Sequence, residues 1–307
     1  MFDVGAFQSA LRNLTGALAL SVSLAPAFAQ EPTIVDRTCI WVLGDSLASA
    51  LAPHLAALMP QRRILNDGFG GQSPTAIAGR AGAIAVNVVV QDERLPVSGP
   101  AQLLSVVPEI LTTASSSRPR ATLAGRLQGV AGTLLWQRNV GYRFVANAPG
   151  QEVRTARTAP FVPDLGDREA CLLVLWAGRN GVTTDRTKTL AGLIKITEAR
   201  RLREAPFLIL TVPNMPVEGR STPAYENISG VNDDLVRRYP QNTLDIRRWL
   251  IQNGLADAGI VPNVRSRAEM AEDAVPAQLL ADGLHPLPDV MKAIARYVVG
   301  EIARRQL

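Results

Sequence analysis

Three short runs that are apolar at nearly every position constrain this chain more than any other feature: Cys39-Ile40-Trp41-Val42-Leu43, Cys171-Leu172-Leu173-Val174-Leu175-Trp176 and Pro206 to Val212. Successive side chains of a strand point to opposite faces, so a strand apolar throughout must be covered on both. Between the runs the period lengthens to that of a helix. Leu47, Leu51, Leu55 and Leu58 fall on one face, as do Val290, Ile294, Val298 and Ile302 near the C-terminus. Pro53 is expected to bend the first of these helices and Pro60 to stop it. Arg63 to Asn66 reads as a further strand that opens into the turn Gly68-Phe69-Gly70-Gly71-Gln72-Ser73. This alternation predicts an α/β chain with a parallel sheet covered by helices on both faces.

Residues 83–163 break that rhythm. Val86-Asn87-Val88-Val89-Val90 is followed by the loop Ala114-Ser115-Ser116-Ser117. Gly125, Gly129, Gly132, Gly141 and Gly150 then punctuate short runs such as Leu134-Leu135-Trp136 and Tyr142-Arg143-Phe144-Val145. Short strands between glycine turns predict a small β-rich insertion over 83–163, dividing a main domain of 30–82 and 164–307.

The N-terminus reads as an export signal at 1–29. An apolar run from Leu14 to Leu24 precedes Ala25-Pro26-Ala27-Phe28-Ala29, with cleavage expected after Ala29; the alternative is an amphipathic N-terminal helix. The run is too short for a membrane span, so a periplasmic or secreted bacterial protein with no stable span is expected. In such a compartment Cys39 and Cys171 either form a disulfide, if their runs are neighbouring parallel strands, or remain two buried thiols. With 2 Cys and 2 His, the chain has little for a thiolate or His-rich metal centre, and none is expected. Its 32 basic against 27 acidic side chains give a net charge of +5. The basic residues lie in scattered pairs such as Arg200-Arg201 and Arg237-Arg238, which read as solvated helix faces rather than a nucleic-acid surface.

In an open parallel sheet, ligands bind at the carboxyl ends of the strands. Four polar features fall there or just beyond: Ser46 in Gly44-Asp45-Ser46-Leu47, the Gly70-Gly71 turn, Asn180 in Gly178-Arg179-Asn180, and Asp282-Gly283-Leu284-His285. In this order, on these elements, they resemble the signature blocks of the SGNH (GDSL-type) hydrolase family. The resemblance covers about residue 38 to the C-terminus, the insertion apart. It implies a three-layer α/β/α, flavodoxin-like fold. It also implies Ser46 as nucleophile, Gly71 and Asn180 as oxyanion donors, and Asp282 and His285 as the activating pair, with no cofactor.

The same residues make chemical sense on their own. A serine hydroxyl needs an adjacent base, and His54 and His285 are the only histidines. His54 would have to fold back on its own helix; His285 follows Asp282 by three residues, so one turn presents both. Asp282 then either orients the imidazole or caps a helix. The N–H groups of Ser46 and Gly71 and the Asn180 amide would meet the developing oxyanion. Gly71-Gln72-Ser73-Pro74-Thr75 lacks the last glycine of a Gly-x-Ser-x-Gly elbow, and no dinucleotide or P-loop pattern is complete. Asp185 and Asp233-Asp234 read as solvated helix caps.

Members of the family act on acetylated polysaccharides, fatty acyl esters, aryl esters or thioesters. Export, the complete quartet and the insertion favour a carbohydrate O-acetylesterase acting on an acylated glycan, ahead of a lipase or arylesterase. A non-catalytic glycan-binding envelope protein is the alternative from another class. Trp136, Tyr142 and Phe144 would either stack on sugar rings or form the core of the insertion.

Overall fold

The computed structural model describes residues 35–113, 118–147 and 151–307. The export signal expected at 1–29, the loop Ala114 to Ser117 and Gly150 lie outside the described residues. The apolar run around Trp41 becomes β1 (Asp36–Gly44), and its two faces serve two cores. Ile40 and Val42 join one core; Cys39, Trp41 and Leu43 join the other. Helix α1 (Ser46–Leu58) follows, with Leu47, Leu51 and Leu55 buried on its inner face and Pro53 accommodated within it. The chain then forms β2 (Arg63–Gly68) and α2 (Pro74–Arg80), the latter capped by the Ser73 hydroxyl.

Strands β3 (Val86–Val90), β4 (Arg94–Leu95), β5 (Ala101–Val107), β6 (Arg120–Leu127), β7 (Val130–Gln137), β8 (Gly141–Ala146), β9 (Val153–Arg154) and β10 (Thr158–Pro163) come next. Six of them close into an antiparallel barrel in the order β10-β3-β5-β8-β7-β6. The barrel falls within the span read as an insertion, yet Pro32–Leu307 is one compact unit. Val88, Leu103, Leu134, Phe144 and Phe161 fill the interior. Two glycines read from sequence as turn punctuation have another purpose. Gly125 and Gly132 face each other mid-strand. A Cβ on either would lie 2.4 Å from the ring of Phe161 or Phe144, respectively. A narrow barrel takes two large rings only if positions beside them are empty. Gly129, with φ of +84°, does occupy a turn, and Gly141, with φ of +88°, closes one as the first residue of β8.

The chain re-enters the sheet through β11 (Cys171–Trp176), α3 (Arg186–Leu202), β12 (Phe207–Leu210), α4 (Pro223–Arg238) and the short β13 (Thr243–Leu244). It finishes with α5 (Ile246–Gln252), α6 (Gly254–Asp257), α7 (Val264–Ala271) and α8 (Pro288–Arg304). The sheet order is β2-β1-β11-β12-β13, all parallel. With the barrel strands set aside, that is the flavodoxin-like 2-1-3-4-5 order, whose crevice opens between the first and third strands. Helices α1, α5 and α8 supply the core on one face, and α2, α3 and α4 supply the other. At the amino end of the sheet, Cys39 and Cys171 form a disulfide with Cα atoms 5.0 Å apart. Among the described residues, no helix is long and apolar enough to cross a membrane.

Candidate active site

Strand register brings the polar turns together. Gly44 lies level with Gly68 on one side and Trp176 on the other, so the loops after β1, β2 and β11 leave the sheet at the same height. Gly44 is needed for that closeness, since a Cβ there would sit 1.8 Å from the Trp176 carbonyl oxygen. The next residue, Asp45, caps α1 by accepting from the Leu47 N–H at 3.0 Å. Ser46 is thus the first helical residue, with its hydroxyl at the positive end of the helix dipole. Gly70 passes so near that a Cβ on it would lie 3.7 Å from the Ser46 Cβ. Gly71 follows with φ of +79°, a conformation that favours glycine.

The His285 Nε2 lies 2.9 Å from the Ser46 Oγ, and its Nδ1 lies 2.7 Å from the Asp282 Oδ2. Asp282 both orients the imidazole and builds its own turn. Its Oδ1 accepts from the backbone N–H groups of Leu284 at 3.0 Å and His285 at 2.8 Å. These backbone bonds, with the His285 side chain, hold the carboxyl down at about 2, so it is ionised at any ordinary pH. The loop is pinned at its base, where the Ala281 N–H donates to the His285 carbonyl at 2.8 Å and Leu280 bridges Pro286. His54 lies half-buried in α1 and takes no part.

Asn180 enters from the third loop. Its Nδ2 donates to the Gln72 carbonyl at 3.2 Å, which leaves the second amide hydrogen for another acceptor. Gln72 is fully buried and was not singled out from the sequence. Its side chain donates to the Ile110 carbonyl and accepts from Arg80 Nε, both at 2.7 Å, so it ties the glycine turn to the segment after β5. Arg179 forms two bonds to Glu218, at 2.9 and 2.6 Å, with both side chains about nine-tenths buried. Glu218 also accepts from the Met215 N–H at 2.7 Å, which locks the loop after β12 beside Gly283. No local pattern in the sequence marks Glu218, because its partner lies 39 residues away.

Asp45 is the least expected member. It is fully buried, and its Oδ2 accepts no well-formed hydrogen bond; only the Arg179 N–H offers a weak interaction. Burial pushes its carboxyl up to about 6, against the opposing pull of the Leu47 N–H and the nearby His285 and Arg179. The aromatic residues considered as a sugar platform are placed otherwise. Phe144 is fully buried in the barrel, and the hydroxyl of buried Tyr142 accepts from the Leu111 N–H at 3.0 Å. Trp136 is half-buried against the same core. Aromatic rings are the largest apolar bodies this small barrel has, so they fill it instead of facing a ligand. Asp185 caps α3, and Asp234 pairs with Arg186 at 3.0 Å.

A cleft of about 210 Å³ beside Asn180 is lined by Ser73, Thr75, Thr184, Lys188 and Thr189. No family model and no curated protein matches the chain. Solved structures do. One, described as a candidate acylhydrolase from Bacteroides fragilis, has 11% identity and a TM-score of 0.46, over 90% of this chain and 92% of that one. Another, a peptidoglycan O-acetylesterase, has 12% identity and a TM-score of 0.36, over 88% of this chain and 91% of that one. With TM-scores below 0.5, these likenesses carry no weight for function, which rests on the side-chain geometry.

Proposed function

We propose that the protein is an exported serine esterase that forms an acyl-enzyme on Ser46, with O-acetylated glycan as its substrate. The hydrogen-bonded chain Ser46–His285–Asp282, at 2.9 and 2.7 Å, carries the reading. Ser46 gives its proton to the His285 Nε2 as its Oγ attacks the ester carbonyl. Asp282, ionised and bonded to the Nδ1–H, holds the ring in that tautomer and stabilises the imidazolium. The oxyanion is met by the N–H groups of Ser46 and Gly71 and by the free amide hydrogen of Asn180. His285 then returns the proton to the departing alcohol. Next it takes a proton from water as the water oxygen attacks the acyl carbonyl, then gives that proton to the Ser46 Oγ as the bond to the acyl group breaks, which releases the acid and restores the enzyme.

The polar, hydroxyl-lined cleft beside Asn180 supports a sugar as the alcohol. The disulfide supports an oxidising compartment, in keeping with the export signal expected at 1–29. The test is hydrolysis of p-nitrophenyl acetate, butyrate and octanoate by the wild type and by Ser46→Ala. Best turnover of acetate, abolished in the variant, is expected. A preference for octanoate overturns the short-acyl assignment, and hydrolysis that survives Ser46→Ala overturns the mechanism.

A further inference from the structure

A cavity of about 420 Å³ lies where barrel strand β6 meets the β2 edge of the sheet. Its volume is in the range of small-molecule sites, roughly 300–1,000 Å³. Trp41, Leu43 and Phe69 give it an apolar floor, and Ala121 to Ala124 form the barrel-side wall. Three guanidinium groups reach it, those of Arg80, Arg118 and Arg168, against two carboxylates, Asp67 and Asp164. Asp67 is already engaged. Its Oδ2 accepts from the Trp41 Nε1 at 2.7 Å and the Arg168 Nε at 2.5 Å, and its Oδ1 accepts from Arg168 at 3.3 Å. Asp164 spends one oxygen on the Gly166 N–H at 3.0 Å.

The other two guanidiniums share one aromatic ring: Arg118 lies 4.1 Å and Arg80 5.7 Å from the Phe69 centroid. Both also hold the segment leading to the glycine turn, Arg118 through the Gly68 carbonyl at 3.2 Å and Arg80 through the Asp67 carbonyl at 2.9 Å. Burial lowers the Arg80 guanidinium to about 10, with Asp67 opposing and Arg118 and Arg168 adding repulsion. Crowded cations with one positive charge in excess and an aromatic face beside them offer planar, bidentate recognition of an oxyanion. The lining adjoins the reaction site along the chain: Gly68 and Phe69 lead directly to Gly70, where an added Cβ would lie 3.7 Å from the Ser46 Cβ.

We infer that this cavity binds a carboxylate-bearing sugar of the substrate, which makes the glycan an acidic one of the uronic-acid type. As a statement about substrate, this rests on the esterase reading; as a statement about binding, it stands alone. The carboxylate sits between the guanidiniums, the sugar ring lies along the barrel-side wall of Ala121 to Ala124, and the chain continues past Gly70 to place a neighbouring ester at Ser46.

The test is isothermal titration of full-length Ser46→Ala with glucuronate, glucose and inorganic phosphate, so that no turnover is required. Glucuronate is expected to bind at least about tenfold tighter than glucose, weakening as NaCl is raised from 0.05 to 0.5 M. Adding Arg118→Gln is expected to weaken glucuronate by about tenfold, in line with loss of a charge-assisted hydrogen bond. Should that variant fail to fold, Thr122→Glu on the exposed barrel wall places a negative charge at the cavity and is expected to weaken glucuronate while sparing glucose. Equal binding of glucose and glucuronate, or indifference to salt and to both substitutions, overturns the assignment. Tighter binding of phosphate than of glucuronate overturns the carboxylate in favour of a phosphate group. Absence of glucuronate binding beside intact hydrolysis of p-nitrophenyl acetate removes this inference alone. Binding without any serine-dependent hydrolysis removes the esterase reading alone.

Discussion

Replacing Asp45 with asparagine is expected to make the protein more stable at neutral pH but not in acid, and the size of the gain follows from its surroundings. Asp45 is fully buried, one of its oxygens lacks a well-formed hydrogen bond, and its carboxyl is raised from 3.8 to about 6. A raised carboxylate binds its proton more tightly in the folded than in the unfolded chain. Stability therefore falls as pH rises between about 4 and 6, the reverse of the usual carboxylate behaviour. Two units at about 1.4 kcal/mol each amount to roughly 3 kcal/mol carried by the native state above pH 6. Asparagine keeps the helix cap to Leu47 and cannot ionise. Urea unfolding of both proteins at pH 4 and pH 7.5 reads the difference directly, because every other titrating group is common to the two. Because the unfolded carboxyl is already more than half ionised at pH 4, the advantage of Asp45→Asn is expected to grow by about 2 kcal/mol between these pH values, with unchanged m. Growth of less than about 1 kcal/mol would refute the argument that burial dominates at this position. The same substitution is expected to lower kcat on p-nitrophenyl acetate, since it removes a negative charge near His285, where positive charge develops as Ser46 gives up its proton. A site that trades stability for activity in this way is a familiar pattern.

Removing the Cys39–Cys171 bridge with two alanines opens a link 132 residues long and is expected to lower stability by about 5 kcal/mol on the chain-entropy account. Chemical unfolding measures it, and a loss below about 1 kcal/mol contradicts that account. Asn180→Ala is expected to reduce kcat on p-nitrophenyl acetate by about two to three orders of magnitude with little change in KM. A loss smaller than tenfold removes Asn180 from the oxyanion site. Glu218→Gln leaves the buried Arg179 guanidinium without its counter-charge and is expected to destabilise by about 3–5 kcal/mol. The double variant Arg179→Met, Glu218→Met should recover most of that loss, and failure to recover would mean the pair is needed for packing rather than charge.

Much of the frame was legible from local pattern. The run around Trp41 announces a strand covered on both faces because both faces are apolar, and Leu47, Leu51 and Leu55 announce a buried helix face through their spacing. Ser46, Asn180 and His285 were locatable because each follows a recognisable strand or precedes a recognisable helix. The glycines of the barrel show where such reading stops. Gly125 and Gly132 look like turns in sequence, as Gly129 and Gly141 do, and only the Phe144 and Phe161 rings across the barrel distinguish them. Tyr142 and Phe144 alternate about Arg143 in sequence, so they share one face of a strand that suits either a ligand or an interior; closure of the barrel puts them inside.

What the amino-acid sequence determined by itself was therefore four of the parallel strands, the first and last helices, the β character of the segment between the second and third strands, and the chemical types gathered at the strand ends, since periodicity and turn chemistry act over a few residues. Tertiary structure alone decided the 2.9 Å approach of His285 to Ser46 across 239 residues and the bridging of Cys39 to Cys171. It also decided the burial of Asp45, the pairing of Arg179 with Glu218, and the gathering of Arg80, Arg118 and Arg168 around one cavity. Each of these depends on distances between segments remote in the chain. Strand register, loop path and barrel closure set those distances, and no local pattern records them.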